Sequence, residues 1–496
     1  MENFEADADS ESADYFSSLP ADVILIILGF LSPHNVLSLR TVSQLMSDAT
    51  RERSVWIGLL RDLCIQHDIY TPSFSLPEMS LEELEHAATA PRRFSSHLRS
   101  EFAQGGLVGP SSVRCLDPLP TGEEFEHMRL LPGGRFLLTS HKTRINLWDL
   151  GNHVSGPTHH AIASFEIPGA AAIKSLRTRA SRSSSEALVI ISTTDAESNF
   201  CVHIFCVFPP ASIPQFTPLA PVLVLPLFND DFPGVLGTTS RHVVIATAFT
   251  TVLWDFIDDA WVSWPRNPTE VDDTLYLCND NFVTVHADEA EVSISQLPAL
   301  FPRSVSAVPP VIDSLDILHR YPLCRFKRPE DPFEWCISGI TLVFHGRERS
   351  TVDQPLYIDI LTKGCNKALI SHFALLPSTS TCTATATSEL VPLGESPLDA
   401  MYHACHSLHL EWLAPGTVQS FVVEGSTLHV CISDVDGTTS KSVAGVLATP
   451  GMRPNDMNVD FCSFSGRVCA RVPAAEGDGF KVLVMDYVAP KQSTLP

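Results

Sequence analysis

The sequence predicts an α+β chain with a small all-α region at its N-terminus and a much longer all-β region after it. Apolar residues recur at helical spacing between Leu19 and Trp56. From about residue 110 onward, strand-like runs alternate with turns rich in Gly, Pro, Asn and Asp. The 37 prolines and the low share of charged residues, 18%, are typical of many short strands and turns. With 496 residues, the chain has room for two or three domains.

Charge and cysteine content restrict the class of protein. The net charge of −24 argues against non-specific binding to nucleic acid or to an anionic membrane surface. Residues 1–14 include six acidic and no basic residues, which predicts a disordered tail and not a signal peptide. The thirteen cysteines are scattered and form no CxxC pair, so we expect reduced thiols and a location in the cytoplasm or the nucleus.

The N-terminal helices have more apolar surface than they can bury by themselves. Val23–Leu31 is apolar at every position except Gly29, and Ser32-Pro33 then provides an N-cap and a first helical residue. Apolar residues at helical spacing predict a third helix; they are Val42, Leu45, Met46 and Ala49. Because about forty residues are marginal as an independent domain, the surplus apolar surface predicts a partner.

Residues 15–60 resemble an F-box, since the apolar pattern of that family occurs here in order and without a gap. Ser43 and Met46 depart from it, because the family often has Cys and Trp at these positions. The resemblance implies binding to a Skp-type adaptor of a cullin–RING ubiquitin ligase. A generic helical hairpin is the alternative. The adaptor-binding residues that the resemblance implies are Leu19, Pro20, Ile24, Ile27, Leu28, Leu31, Pro33, Val36, Leu39, Val42 and Trp56.

Residues 61–109 are predicted to form a helical linker. A helix is expected to continue beyond Trp56, and Ser80 with Glu83 forms a capping box at the start of another helix. Pro91 is expected to end that helix or to begin a further one. We expect this linker to be a solvated spacer that holds the two halves of the chain at a fixed geometry.

Hairpin units repeat through residues 110–490. The clearest two, residues 133–150 and 240–256, end in Trp148-Asp149 and Trp254-Asp255. The second strands of seven such units are centred near residues 147, 204, 254, 294, 358, 430 and 484. Serial units of about 40–50 residues are typical of a β-propeller, whose closure protects strand edges. We therefore predict an all-β propeller-like domain of about seven blades. Six or eight blades, or a pair of β-sandwiches, are the alternatives.

These hairpins resemble WD-repeat blades, although the Gly-His signature is absent and only two units have the Trp-Asp pair. The whole chain resembles fungal proteins in which an F-box precedes such a propeller. That resemblance implies a non-enzymatic substrate receptor, in which the F-box binds the adaptor with its cullin scaffold and the propeller captures a protein substrate. Trp261 and Trp264 are the candidate substrate-binding residues, and packing between blades is their alternative role.

Motifs of catalysis are missing from the sequence. It has no GxSxG, HExxH, Walker or strand-linked GxGxxG pattern, so we assign no catalytic residue and no cofactor. His403, Cys405, His406 and His409 are the densest group of metal-type side chains. An ordinary half-buried strand explains that segment better, so no metal is predicted. The alternative function is a propeller-based hydrolase or lyase whose N-terminal helices are structural.

Overall fold

The structure is a computed structural model of the full chain. The chain divides into two compact units. Residues 1–63 and 75–89 form the first, and residues 64–74 and 90–496 form the second. The acidic tail predicted for residues 1–14 lies outside the described residues. Those described are 19–67, 69–116, 125–151, 160–181, 186–226, 233–247, 249–266, 274–278, 281–286, 291–305, 308–322, 339–345, 356–363, 368–376, 389–398, 408–414, 417–424, 427–435, 440–451, 459–473 and 480–488.

Short helices form the first unit, as the helical spacing predicts. They are α1 (Ala21–Gly29), α2 (Pro33–Leu39), α3 (Gln44–Ala49), most of α4 (Arg53–Gln66) and the first part of α5 (Leu81–Ala103). The Ser32 hydroxyl caps α2 by accepting a hydrogen bond from the Asn35 amide. Ser43 caps α3 in the same way, accepting from the Met46 amide at 3.2 Å. Ser43 therefore has a local structural role at a position where it departs from the F-box pattern.

Four-stranded antiparallel sheets, extended in places by short extra strands, form the second unit. Two strands, β1 (Leu107–Val108) and β2 (Ser112–Leu116), precede the first complete sheet. Blade 1 contains β3 (His127–Leu130), β4 (Phe136–His141), β5 (Arg144–Asp149) and β6 (Ala163–Glu166). Blade 2 contains β7 (Ala170–Ala180), β8 (Ala187–Asp195), β9 (Phe200–Val207), β10 (Thr217–Pro218) and β11 (Leu223–Leu225). Blade 3 contains β12 (Gly234–Thr238), β13 (His242–Ala246), β14 (Thr250–Asp255) and β15 (Ala260–Pro265).

The remaining strands complete the series. Blade 4 contains β16 (Thr274–Cys278), β17 (Asn281–His286), β18 (Glu291–Gln296) and β20 (Ile317–Pro322), and the intervening β19 (Phe301–Pro302) pairs with blade 3. Blade 5 contains β21 (Gly339–His345), β22 (Leu356–Lys363), β23 (Ala368–Leu376) and β24 (Glu389–Leu398). Blade 6 contains β25 (Leu408–Ala414), β26 (Thr417–Glu424), β27 (Thr427–Val435) and β28 (Ser440–Leu447). Blade 7 contains β29 (Val459–Cys462), β30 (Arg467–Pro473) and β31 (Phe480–Asp486), with β2 as its fourth strand.

The seven sheets close into a ring. The first strands adjoin each other in blades 1 and 2 and from blade 3 to blade 6, and β29 of the last blade lies beside β3 of the first. Apolar clusters join blade 2 to blade 3 and blade 6 to blade 7. The N-terminal strand β2 completes blade 7 by pairing antiparallel with β31. Because of this closure, each blade has a neighbour on both sides. Propellers protect their strand edges by this radial arrangement. The predicted β-propeller is confirmed, and the described sheets number seven.

The repeated hairpins predicted from the sequence are mostly the second and third strands of their blades. The strands predicted near 147, 204, 254, 294, 430 and 484 are all third strands. The one predicted near residue 358 is instead β22, the second strand of blade 5. Alternating apolar residues identify a strand but do not give its position within a sheet, because every half-buried strand has the same period.

An Arg–Asp pair recurs where the third strand ends. Asp149 binds Arg135 through two oxygens, at 3.1 and 2.8 Å, and Asp255 binds Arg241 at 2.6 Å. In both blades the residue after the aspartate donates its amide to the carbonyl of that arginine. The indoles of Trp148 and Trp254, one residue before each aspartate, are fully buried. In each Trp-Asp pair, the aspartate thus binds an arginine of the same blade and the tryptophan is buried, and both contacts stabilise the hairpin.

Blade 7 has a third such aspartate, which the sequence analysis missed because methionine precedes it. Asp486 binds Arg467 at 2.6 Å, and both side chains are almost completely buried. Its second oxygen accepts a hydrogen bond from Arg114 of β2 at 2.9 Å. Arg467 also donates to the carbonyls of Gly134 and Gly151 in blade 1. One buried carboxylate therefore joins the last blade to the N-terminal strand, and its arginine joins both to the first blade.

The second part of α5 is not the solvated spacer that we expected. Phe94, Leu98 and Phe102 are buried in one cluster with apolar residues of blades 6 and 7. Arg99 binds Asp434 of β27. A Cβ at Gly445 would lie 2.0 Å from the Phe102 ring, so this contact requires glycine. This burial also explains why α5 continues through Pro91, where the sequence predicts a helix boundary.

His203 is a buried ring in blade 2. It lies between the hydroxyl of Thr193, 3.0 Å from its Nε2 atom, and the ring of Phe205, on which it stacks. Burial lowers the pKa of His203 from 6.5 to about 4, because the charged ring would lose its hydration. The folded protein therefore keeps this side chain neutral at pH values where the unfolded chain protonates it.

Replacement of Asp486 by alanine is expected to destabilise the whole propeller. The buried Arg467 and the half-buried Arg114 lose their carboxylate, and breaking a buried ion pair costs about 3–5 kcal/mol. Thermal denaturation of the full chain should show the propeller transition shifted several degrees lower as one cooperative step. Glu166→Ala is the control, because its pair with Arg144 is exposed and is worth at most about 1 kcal/mol. Equal effects of the two substitutions would contradict the closing role of Asp486.

The free energy of unfolding is expected to fall as the pH is lowered from about 6.5 to about 4. In this window the unfolded chain binds a proton at His203 and the folded chain does not. The loss should reach about 3 kcal/mol, since each pKa unit corresponds to about 1.4 kcal/mol. Urea denaturation at several pH values measures it. The His203→Gln variant, which keeps a polar partner for Thr193, should have a shallower dependence, and identical slopes would disprove this origin.

Candidate functional site

The first helix has apolar residues on opposite sides. Ile24 and Leu28 are fully buried and lie four residues apart, on the side that packs into the first unit. Ile26, Ile27 and Phe30 are exposed and are related by the same three- and four-residue spacing. Phe30 is 86% exposed, so this large ring makes almost no contact within the chain. A helix that exposes such residues is typical of a surface that a partner covers.

Two further apolar residues are exposed around the start of the third helix. Val42 lies in the turn between α2 and α3, and Leu45 lies in the first turn of α3. Large exposed side chains of this kind normally mark an interaction site when they occur together. We call Ile26, Ile27, Phe30, Val42 and Leu45 the apolar face.

A buried tryptophan and an ion pair hold these helices together. The Trp56 indole is fully buried and donates to the Thr50 carbonyl at 2.7 Å. Arg40 donates to the same carbonyl at 2.9 Å and lies 5.9 Å from the Trp56 ring centroid. Its guanidinium also binds both oxygens of Glu85, at 3.2 and 2.6 Å. This bidentate geometry fixes the end of α2 against α5.

The segment before α5 is held by a second arginine. Arg53, the first residue of α4, donates to the carbonyls of Leu76, Pro77 and Met79, at distances between 2.5 and 3.1 Å. These carbonyls belong to the loop that leads into the capping box of Ser80. Residues 75–89 are therefore part of the first unit, although they follow α4 in the sequence.

The comparison with family models decides the identity of this unit. Residues 16–58 match the F-box domain. The chain contains an F-box domain. Its apolar face lies on the F-box helices, and its second unit is the C-terminal β-propeller. No curated protein matches the chain.

Three solved structures that the chain resembles have between 11% and 13% sequence identity with it. The β-propeller domain of Nup133 from Vanderwaltozyma polyspora is 11% identical, with 75% of this chain and 97% of that one covered and a TM-score of 0.40. A periplasmic gluconolactonase of Pseudomonas aeruginosa is 13% identical, with 65% and 88% covered and a TM-score of 0.37. Hsv2 of Kluyvelomyces marxianus is 12% identical, with 72% and 96% covered and a TM-score of 0.33. The propeller assignment rests on the seven sheets described above.

The residues that the F-box resemblance implies for adaptor binding differ widely in exposure. Four of them are fully buried and form the core of the F-box: Ile24, Leu28, Val36 and Trp56. Four are half-buried: Leu19, Leu31, Pro33 and Leu39. Three are exposed: Pro20, Ile27 and Val42. The sequence analysis did not select Ile26, Phe30 and Leu45 of the apolar face, because an all-apolar helix does not show which side is buried.

Trp261 and Trp264 do not lie in an exposed loop. Both are in β15 and are only 2% and 6% exposed. Trp261 packs in the apolar cluster between blades 2 and 3, and Trp264 contacts the Phe282 ring of blade 4 with centroids 5.4 Å apart. Packing between blades, the alternative left open by the sequence, explains both residues, since large aromatic rings contribute most by burial.

The histidine-rich segment gives no evidence of a metal site. His409 lies in strand β25, as the half-buried strand interpretation expected, whereas His403, Cys405 and His406 lie outside the described residues. Within the described ranges, no three side chains of His, Cys, Asp or Glu are placed to hold a metal ion. In the same ranges, no helix is long and apolar enough to cross a membrane.

Replacement of Glu85 by glutamine is expected to loosen the F-box. The variant keeps the size of the side chain but loses the charge that binds Arg40, and a hydrogen bond to a charged group is worth about 1.5–3 kcal/mol. Hydrogen exchange of the full chain should become faster in residues 33–50. Glu82→Gln is the matched control, because Glu82 lies one turn earlier in α5 and is exposed. Unchanged exchange in the Glu85 variant would contradict the supporting role of this pair.

Proposed function

We propose that this protein is the substrate-receptor subunit of an SCF-type cullin–RING ubiquitin ligase. Its F-box binds a Skp-type adaptor, which links it to the cullin scaffold, and its propeller captures a protein substrate. The observation that supports this most directly is the apolar face, five large apolar side chains that stay exposed on an F-box. Burying such side chains at an interface is favourable by about 25 cal/mol per Å² of apolar surface.

The proposed adaptor-binding residues divide into two groups by their exposure. Pro20, Ile27 and Val42 contact the adaptor directly, together with Phe30 and the other newly identified members of the apolar face. The half-buried residues contact it through the part of each side chain that is exposed; they are Leu19, Leu31, Pro33 and Leu39. The buried residues, such as Trp56, act indirectly, because they hold the helices in the geometry that presents this face. A fully buried side chain cannot reach a partner unless the helices move apart.

We propose that the receptor is non-enzymatic and acts in the cytoplasm or the nucleus. The thiols of Cys64 and Cys469 are buried, and burial raises the pKa of Cys64 to about 12 and also raises the pKa of Cys469. A thiol with so high a pKa is neither a nucleophile nor readily oxidised at neutral pH. Such core thiols fit a reducing compartment, which is where a cullin–RING ligase would meet its substrates.

Charged substitutions on the apolar face are expected to abolish adaptor binding without unfolding the protein. Phe30→Asp and Ile27→Asp each place a carboxylate where the adaptor must exclude water. Loss of one central interface residue costs about 2 kcal/mol or more, so the Kd for the purified Skp-type adaptor should rise at least about thirtyfold. Biolayer interferometry with the full chain measures this Kd directly.

Two controls separate binding from folding. Ile65→Asp introduces the same charge at an exposed position of α4 beyond the matched F-box residues, and it should leave the Kd unchanged. Leu28→Asp changes a fully buried position and should unfold the F-box helices, which circular dichroism and proteolysis would show. If the Phe30 and Ile27 variants bind the adaptor as tightly as the natural protein, the proposed function is wrong.

A further inference from the structure

A segment of blade 4 crosses to the outer edge of blade 3. Residues 297–316, which we call the arm, connect β18 and β20 of blade 4, yet β19 within the arm pairs antiparallel with β15 of blade 3. Farther along, the Ser263 amide donates to the Pro310 carbonyl at 2.9 Å, and the Ile312 amide donates to the Ser263 carbonyl at 2.8 Å. The arm thus shows that the outer edge of a blade in this propeller binds an extended, proline-containing chain.

One arginine of the arm brings three elements together. Arg303 binds Asp259, in the turn between β14 and β15, through its side chain and through its amide, at 2.9 Å in both cases. It also donates to the carbonyl of Val222, beside strand β11 of blade 2, at 3.4 Å. Its guanidinium lies 5.3 Å from the ring centroid of Trp261. The arm, the turn and the edge of blade 2 therefore form one surface.

This surface exposes apolar side chains whose neighbours are buried. On blade 2, Leu223 and Leu225 point into the core, so the alternating Val222 and Val224 face solvent. On blade 3 and the arm, the exposed residues are Ile257, Phe301 and Val305, of which Val305 is 80% exposed. We call Val222, Val224, Ile257, Phe301 and Val305 the rim patch. Contiguous exposed apolar residues on a soluble domain mark a binding site.

The exposed charge of the arm is acidic. Asp313 and Asp316 are exposed among the described residues of the arm, while Arg303 is bound to Asp259. In the adjoining turn, the exposed Asp258 is bound to Arg241. An apolar patch with such surroundings complements a ligand that combines apolar side chains with positive charge.

The strand at the edge of the patch is available for main-chain pairing. In the described part of the chain, β11 pairs with β9 and with no strand on its outer side. An open strand edge offers amides and carbonyls that an extended peptide can use, while alternate side chains of the peptide contact the surface. The shape of the site therefore favours an extended segment over a helix.

We propose that the rim patch binds an extended protein segment in which apolar residues alternate with lysine or arginine. The segment pairs with the β11 edge, its apolar side chains contact the patch, and its cations lie near the surrounding carboxylates. This inference rests on the proposed receptor function for its biological meaning, since the bound segment would belong to the substrate. The physical binding itself does not depend on the F-box.

Fluorescence anisotropy with the full chain tests the proposal. The probe is a fluorescein-labelled peptide of alternating valine and lysine, and the comparison peptides alternate serine with lysine and valine with glutamate. We expect the valine–lysine peptide to bind at least about tenfold more tightly than either comparison peptide. We expect Val305→Asp and Ile257→Asp to weaken that binding by at least about tenfold. The double variant Asp313→Asn, Asp316→Asn should bind more weakly and depend less on salt.

The matched control is Phe249→Asp, which changes a residue that is 65% exposed in the turn between β13 and β14 of the same blade. It should bind the valine–lysine peptide as the natural protein does, and all variants should melt at the same temperature. Equal binding of the three peptides, or equal loss in the Phe249 variant, would overturn the proposal. So would a dimer of the full chain that Val305→Asp dissociates, because the patch would then bind a second copy.

Adaptor affinity measured on the same preparations separates the two proposals. Rim-patch variants should bind the Skp-type adaptor normally, and Phe30→Asp should bind the peptide normally. If the rim-patch variants lose peptide binding but still bind the adaptor, the rim patch is confirmed as a site within the receptor function. Peptide binding by a natural protein that does not bind the adaptor would retain the rim patch and reject the receptor function.

Discussion

The buried carboxylate of Asp486 is the interaction on which the propeller most depends. It binds Arg467 of the last blade and Arg114 of the N-terminal strand, and Arg467 reaches carbonyls of the first blade. Ions removed from water are stable only when each has its partner, so this group works as a unit. Because β2 and β31 are separated by the whole propeller sequence, their pairing makes all seven blades one closed structure. The buried half of α5 packs on the two blades next to this closure.

The tryptophan side chains that the structure describes in the propeller are all buried in its cores. Trp148 and Trp254 precede the aspartates that bind arginine, and Trp261 and Trp264 fill the spaces beside blade 3. Large rings gain most from complete burial, so their occurrence in turn-rich sequence does not indicate exposure. The most exposed residue of the rim patch is Val305, on an arm whose other side packs into the core.

Each of the two units that carry a proposed binding surface contains an arginine that is fixed by a carboxylate and a tryptophan. Arg40 binds Glu85 and lies over Trp56 in the F-box, and Arg303 binds Asp259 and lies over Trp261 in the propeller. A rigid surface loses little conformational freedom when a partner binds, so more of the contact energy appears as affinity.

The sequence by itself determined the order of helices and the series of hairpins, because these follow from the local periodicity of apolar residues and from capping and turn residues. It also determined the F-box pattern. Only the tertiary structure decided that Leu28 is buried while Phe30 is exposed, that Trp261 lies inside, and that the arm crosses to a neighbouring blade. The physical reason is the same in each case. A strand or helix has two sides with similar residues, and the side that is buried depends on elements far away in the chain, whose packing no local pattern contains.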